Sequence, residues 1–163
     1  MKQRRQAKPQ KSFKENAIEI IPLFYDEMMS NAERVIAHAR LQEEFHTMRL
    51  AGKQLRFAME FFSPAFGTEF KDCLSALRSL LEIMGNVHEH DIAISLLKEH
   101  LLEIRTYNQS AKTLSAKISP KLILQLLRQQ RTLRTETFQE FSISKWILED
   151  SRTRLLKSMN NDN

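Results

Sequence analysis

Glycine and proline are almost absent from this chain, which has three glycines and four prolines in 163 residues. They are the residues that let a backbone reverse tightly, so their scarcity disfavours a many-stranded fold and favours long helices. The apolar pattern agrees. Ile18, Ile21, Phe24, Tyr25, Met28, Met29, Ala32, Val35 and Ile36 recur at helical spacing, and the β-branched and aromatic residues never settle into alternating runs. The expected fold is all-α: an antiparallel helical bundle of four to five helices.

Capping and breaking residues set the expected boundaries. Helix one should cover roughly 13–40, with Pro22 near its first turn or at a kink. Helix two should cover 42–62, stopped by Ser63 and Pro64 with Gly67 completing the turn. Helix three should start near Thr68, weaken at Gly85-Asn86 and resume through Ile104, as one bent helix or two in succession. Residues 106–117 are polar and read as a connection. Ser119-Pro120 opens helix four, which runs to about 141. Ser142 or Ser144 should cap a last helix containing Trp146, Ile147, Leu148, Leu155, Leu156 and Met159, before a frayed end.

At this length a single domain is expected, with a flexible basic leader over 1–12 and one bundle over 13–160. The net charge is +5, yet residues 1–14 alone hold six cations and no acid, so the remainder carries −1. The leader therefore makes the chain basic, and any anion site in the body must be argued from local pattern. A lone Cys73 excludes an internal disulfide, and no apolar stretch is long enough to span a membrane. The leader has no apolar block behind it, unlike a secretory signal. A cytoplasmic location without membrane association is the expectation.

Helix two carries the most informative pattern. His46, Arg49, Lys53 and Arg56 recur at steps of three and four, followed by Glu60, so all five share one narrow stripe. Phe45, Met48, Gly52, Leu55 and Met59 line one border of it, and Leu50, Phe57 and Phe61 the other. An ordinary surface helix has one broad polar arc. A thin cationic line between two apolar margins is costly to desolvate unless an anion meets it. A multivalent anion is implied.

The string FHTMRLAGKQLRFAMEFF, at 45–62, resembles the signature helix of the CHAD domain, the conserved histidine α-helical domain. MGNVHEHDIAISLL resembles the second segment of that family, a Gly followed by a basic-acidic-x-Asp element. FKDCLSALRSLLEI, between them, also suits it, and the resemblance covers roughly 13–160. It implies an all-helical binding module for inorganic polyphosphate. By motif match, His46, Arg49, Lys53 and Arg56 fall on the basic positions of the family. His88 falls where Arg is common, exchanging a permanent charge for a titratable one. Glu89 and Asp91 fall on acidic positions and would orient basic side chains, while Lys71 and Arg78 suit lining roles; apart from the motifs, the basic strip of helix four would place Arg128 or Arg131 across the channel. Typical members hold two similar bundles and this chain has one set of motifs, so a homodimer completing a double bundle is a further expectation.

Other chemistry finds little support in the residues. There is no P-loop, no Gly-rich phosphate loop, no serine elbow and no convincing Cys-His pair, so no catalytic residue or cofactor is assigned. His88 and His90 have a spacing that suits a loop or strand better than one helical face, and no metal site is assigned. Nucleic acid is the alternative ligand, allowed by the leader and by Arg128, Arg131 and Arg134. It ranks second because the body lacks net positive charge and a legible pattern of exposed stacking aromatics. A phosphohydrolase or a histidine phosphoacceptor at His46 ranks third.

Overall fold

The computed structural model describes residues 7–144 and 150–160. Its helices are α1 (Phe13–Met29), α2 (Ala32–Ala37), α3 (Gln42–Phe62), α4 (Thr68–Ser110), α5 (Lys121–Ser142) and α6 (Ser151–Asn160). Short 3-10 turns lie at Ser63–Ala65 and Leu114–Ala116. No strand occurs among the described residues, and the protein is an all-α helical bundle.

The chain divides into two compact units, Met1–Met84 with Glu140–Asn163, and Gly85–Gln139. The division falls at the Gly85-Asn86 weak point, yet α4 passes through it without a break. Neither residue removes a backbone donor, so helix propensity is lowered there without loss of the hydrogen-bond ladder.

In the first unit α1 packs along α3. At Gly52 an added Cβ would lie 2.7 Å from Leu81 Cδ2 on α4 and 3.2 Å from the Met28 sulfur on α1. Glycine is there for close approach, since it brings no side chain between three helices. Phe45 meets Phe141 edge to face with ring centroids 5.1 Å apart. The α6 helix is tied to α1 by a 2.6 Å hydrogen bond between the Tyr25 and Ser151 hydroxyls. Arg152 adds two bonds to Asp26, at 2.8 and 3.2 Å. Burial pushes the Tyr25 phenol up from its ordinary pKa, and it does the same to the buried Cys73 thiol, which makes that thiol a weak nucleophile.

Several boundaries differ from those expected. Helix one stops at Met29 rather than near 40, because Ser30 turns its hydroxyl back onto the Glu27 carbonyl at 2.8 Å and Asn31 leaves helical geometry. Of the two places expected for Pro22, a first turn or a kink, the first is ruled out, since Pro22 lies inside α1. The connection is shorter than 106–117, since α4 continues to Ser110. Ser142 is the last residue of α5, and the helix start expected just after Ser142 or Ser144 falls at 145–149, outside the described residues. At α6 the Asp150 carboxylate accepts from the Thr153 N–H at 3.0 Å, and hydrogen bonding from the Thr153 side chain, then from this N–H, holds its pKa below the ordinary value. Trp146, Ile147 and Leu148 lie outside the described residues, as does part of the leader, residues 1–6. The rest of the leader turns back onto α1. Lys8 N–H donates to Asn16 Oδ1 at 2.7 Å, and the Asn16 amide donates to the carbonyls of Lys8, Lys11 and Ser12.

In the second unit, residues 85–110 of α4 are followed by a loop and α5. Asn108 pins the loop by bonding both the carbonyl and the N–H of Ile118, each at 2.8 Å. A buried Arg134 donates to a buried Asp91 at 3.0 Å (Nε to Oδ1) and 3.5 Å (Nη2 to Oδ2).

Candidate functional site

The α3 boundaries coincide with the span expected from sequence, so the cationic stripe forms as one row. Ser63 caps the helix with its backbone N–H on the Glu60 carbonyl, and the turn at Ser63–Ala65 takes up Pro64 where no further helical N–H is needed. His46, Arg49, Lys53, Arg56 and Glu60 are all half-buried. From Arg49 to Arg56 the row is about 10 Å long, at about 1.5 Å per residue.

The two margins differ in kind. Phe45, Met48, Leu55 and Met59 are buried in the core. Leu50, Phe57 and Phe61 are 44%, 57% and 66% exposed. The row therefore runs along the edge of the core with an uncovered apolar margin on its outer side. Periodicity finds both margins, and only packing decides which of them another helix covers. Phe57 and Phe61 are also the exposed aromatics next to cations that the sequence pattern does not disclose.

Two arginines of the row hold buried donors in reserve. The Nε atoms of Arg49 and Arg56 are shut off from solvent and make no hydrogen bond within the chain. A buried N–H without an acceptor is unfavourable, so these two atoms point to an acceptor arriving from outside. The Arg56 guanidinium rests 4.8 Å from the centre of the Phe57 ring, and its Nε stands 3.8 Å from Glu60 Oε1. Across from it, Arg78 on α4 donates to the same oxygen from Nε at 3.1 Å and Nη2 at 2.9 Å. Arg78 thus joins the row, with Glu60 between two guanidinium groups. Lys71 lies two turns before Arg78 on the same face of α4 and is exposed.

The other sequence-derived residues belong to the second unit. His88 is half-buried on α4, and Glu89 and Arg128 are exposed. Asp91 holds Arg134, whose guanidinium also lies 5.2 Å from the Phe138 ring centre. Arg134 was legible from sequence only as one of three arginines along α5. Its four-residue step to Phe138 was the available sign that it differs from Arg128 and Arg131. His90 Nδ1 pairs with Gln130 Oε1 at 2.8 Å. Among the described residues no three His, Cys, Asp or Glu side chains gather closely enough to hold a metal. Nor is any helix among them long and apolar enough to cross a membrane.

No curated protein and no solved structure matches the chain. A sequence profile of the CHAD domain matches residues 2–98. That span includes the α3 row, Lys71, Arg78 and the Gly85–Asp91 segment, and it stops within α4, short of α5 and α6. With more than half of its length matched, and with the cationic helix of the family formed in the structure, the chain belongs to the CHAD domain family.

Proposed function

We propose that this protein is a non-catalytic binding module for inorganic polyphosphate, with Arg49, Lys53 and Arg56 of α3 as the principal phosphate contacts. The family is associated in general with polyphosphate binding. The observation that carries the reading for this chain is the pair of buried Nε donors on Arg49 and Arg56 that no hydrogen bond within the chain satisfies, Arg56 having only the Glu60 carboxylate 3.8 Å away.

The chemistry is electrostatic capture. Guanidinium groups fork onto two phosphate oxygens, while the Lys53 ammonium acts as a compact charge between them. The row is attached along one helix, so the cations are held in line before the ligand arrives and little ordering cost remains at binding. His46 at the start of the row and Arg78 beyond Glu60 extend it. His88 and Arg128 are proposed as further phosphate contacts within their own unit. No nucleophile, general base or metal takes part in this reading, so phosphate bonds remain intact. A cytoplasmic location fits it, since a free buried thiol persists in a reducing compartment.

A second copy of the chain is the protein partner this reading carries. In the second unit Ile92 and Leu96, one turn apart on α4, are 48% and 51% exposed, and Leu102 and Leu122 are 64% and 63% exposed, apolar surface that a second copy could cover. Sedimentation at tens of micromolar should show a dimer. A clean monomer that still binds polyphosphate tightly would remove the dimer and leave the binding site.

The test of the ligand is a titration with long-chain polyphosphate at two salt concentrations. Three to four phosphate contacts should give a slope of log affinity against log salt of roughly −2 to −4. Binding insensitive to salt would contradict electrostatic capture.

A further inference from the structure

The row on α3 does not simply end at its last cation. Past Arg56, towards the C-terminus of the helix, come the Glu60 carboxylate and then the exposed ring of Phe61. Arg78 and Arg56 flank that carboxylate, so it is a paired group that separates the cations of α3 from the aromatic end of the helix. Both hydrogen bonds that Glu60 receives land on Oε1, and Oε2 receives none, so the group keeps an acceptor for a donor from outside.

The aromatic rings beside it are open yet braced. Phe61 is 66% exposed, but its ring is packed against Phe13 at 5.3 Å and against Phe62 at 5.0 Å between centroids. A ring fixed by its neighbours and open to solvent offers a stacking surface that needs no ordering when a planar group arrives. Phe57, next to it on the same margin, already lies under the Arg56 guanidinium. A phosphate on Arg56 is thereby placed beside the two rings. An apolar protein surface laid over the same patch would have to desolvate Glu60 and Arg78 together, which disfavours that occupant.

Along α3, past the cations, the Glu60 acceptor is followed by the ring of Phe61, with Phe57 lying back beside Arg56. That is the order of phosphates, sugar and base in one ligand. We propose that the C-terminal end of the α3 row takes the nucleoside end of a nucleoside polyphosphate. Its phosphates lie on Arg56, Lys53 and Arg49, a sugar hydroxyl donates to Glu60, and the base stacks on Phe61. This rests on the row being a polyphosphate site and adds the class of ligand that fills its end.

The test is calorimetric titration of the full chain, at one salt concentration, with adenosine 5′-tetraphosphate and with inorganic tetraphosphate. The nucleotide should bind about tenfold more tightly, the usual contribution of one stacked base. Phe61→Ala should remove that advantage while changing the affinity for inorganic tetraphosphate by less than about twofold. A 2′,3′-dideoxy nucleotide should bind severalfold more weakly than its parent. Equal affinity for the two tetraphosphates, or an advantage that survives Phe61→Ala, would overturn the inference and leave the polyphosphate site standing. Binding of neither would overturn the polyphosphate reading itself. A ten-nucleotide single strand binding more tightly than the nucleotide would assign the surface to nucleic acid and overturn the nucleotide assignment.

Discussion

Arg78 on α4 donates twice to a single oxygen of Glu60 on α3. Both Arg78 bonds, at 3.1 and 2.9 Å, end on Glu60 Oε1, the atom that Arg56 Nε approaches to 3.8 Å. The pair links two helices of one unit and brings a fourth strong cation to the row. Arg78 is more than half exposed, so the link contributes little to stability. Arg78→Ala should lower stability by less than about 1 kcal/mol in urea unfolding. It should also weaken polyphosphate binding and make the salt slope shallower by about one. Arg78→Lys should keep the slope, since it keeps the charge. An unchanged slope in the alanine variant would take Arg78 out of the site.

The Asp91–Arg134 pair is buried, with side chains 11% exposed on each partner. Removing one partner strands the other charge. Arg134→Ala should therefore destabilise the protein by about 3 to 5 kcal/mol, read as a shift in the urea midpoint. The double change Asp91→Leu with Arg134→Met should recover most of that loss, because no charge is left uncompensated. A mild single variant, within 1 kcal/mol of the parent on the scale of an exposed pair, would mean that water reaches the pair.

Gly52 sits where three helices meet, with 2.7 Å between a would-be Cβ and Leu81. Gly52→Val adds a branched side chain to that contact and should cost about 2 to 3 kcal/mol. In thermal unfolding this is a fall of roughly 4 to 12 °C for a chain of this size. A rise in the melting temperature would show that the helices separate easily and that the close approach is incidental.

Alkaline pH should destabilise the fold. Burial raises the pKa of both the Cys73 thiol and the Tyr25 phenol above their ordinary values of 9.0 and 10.0. Through that range the unfolded chain releases protons that the folded chain retains, so stability is full below the ordinary values and falls as pH rises through them. Melting temperature should be level between about pH 7 and 8 and decline from about pH 9. Cys73→Ala should delay the onset towards the tyrosine range. A level profile to pH 11, beyond the ordinary phenol value, would contradict the burial argument.

The parts legible in the sequence are those written by local signals. The α3 helix was readable because Ser63 and Pro64 stop it, and its row was readable because period 3.6 fixes which residues share a face. Which apolar margin faces the core was not readable, since Phe57 and Phe61 look as hydrophobic as Phe45 until a neighbouring helix covers one side and not the other. The partner of Asp91 was equally hidden. Arg134 lies 43 residues away on another helix, and no pattern within α4 names it. The break after Met29 turned on Ser30 bonding its own chain, a local competition that an uninterrupted apolar period outweighs on paper.

The most direct measurement is polyphosphate binding by the double charge reversal Arg49→Glu with Arg56→Glu. Both residues lie on the half-exposed edge of α3, and helix content by circular dichroism should be unchanged. Affinity for long-chain polyphosphate should fall by at least about a hundredfold, with the salt slope shallower by two or more. A folded double variant that binds as tightly as the parent would contradict the assignment of the site to α3.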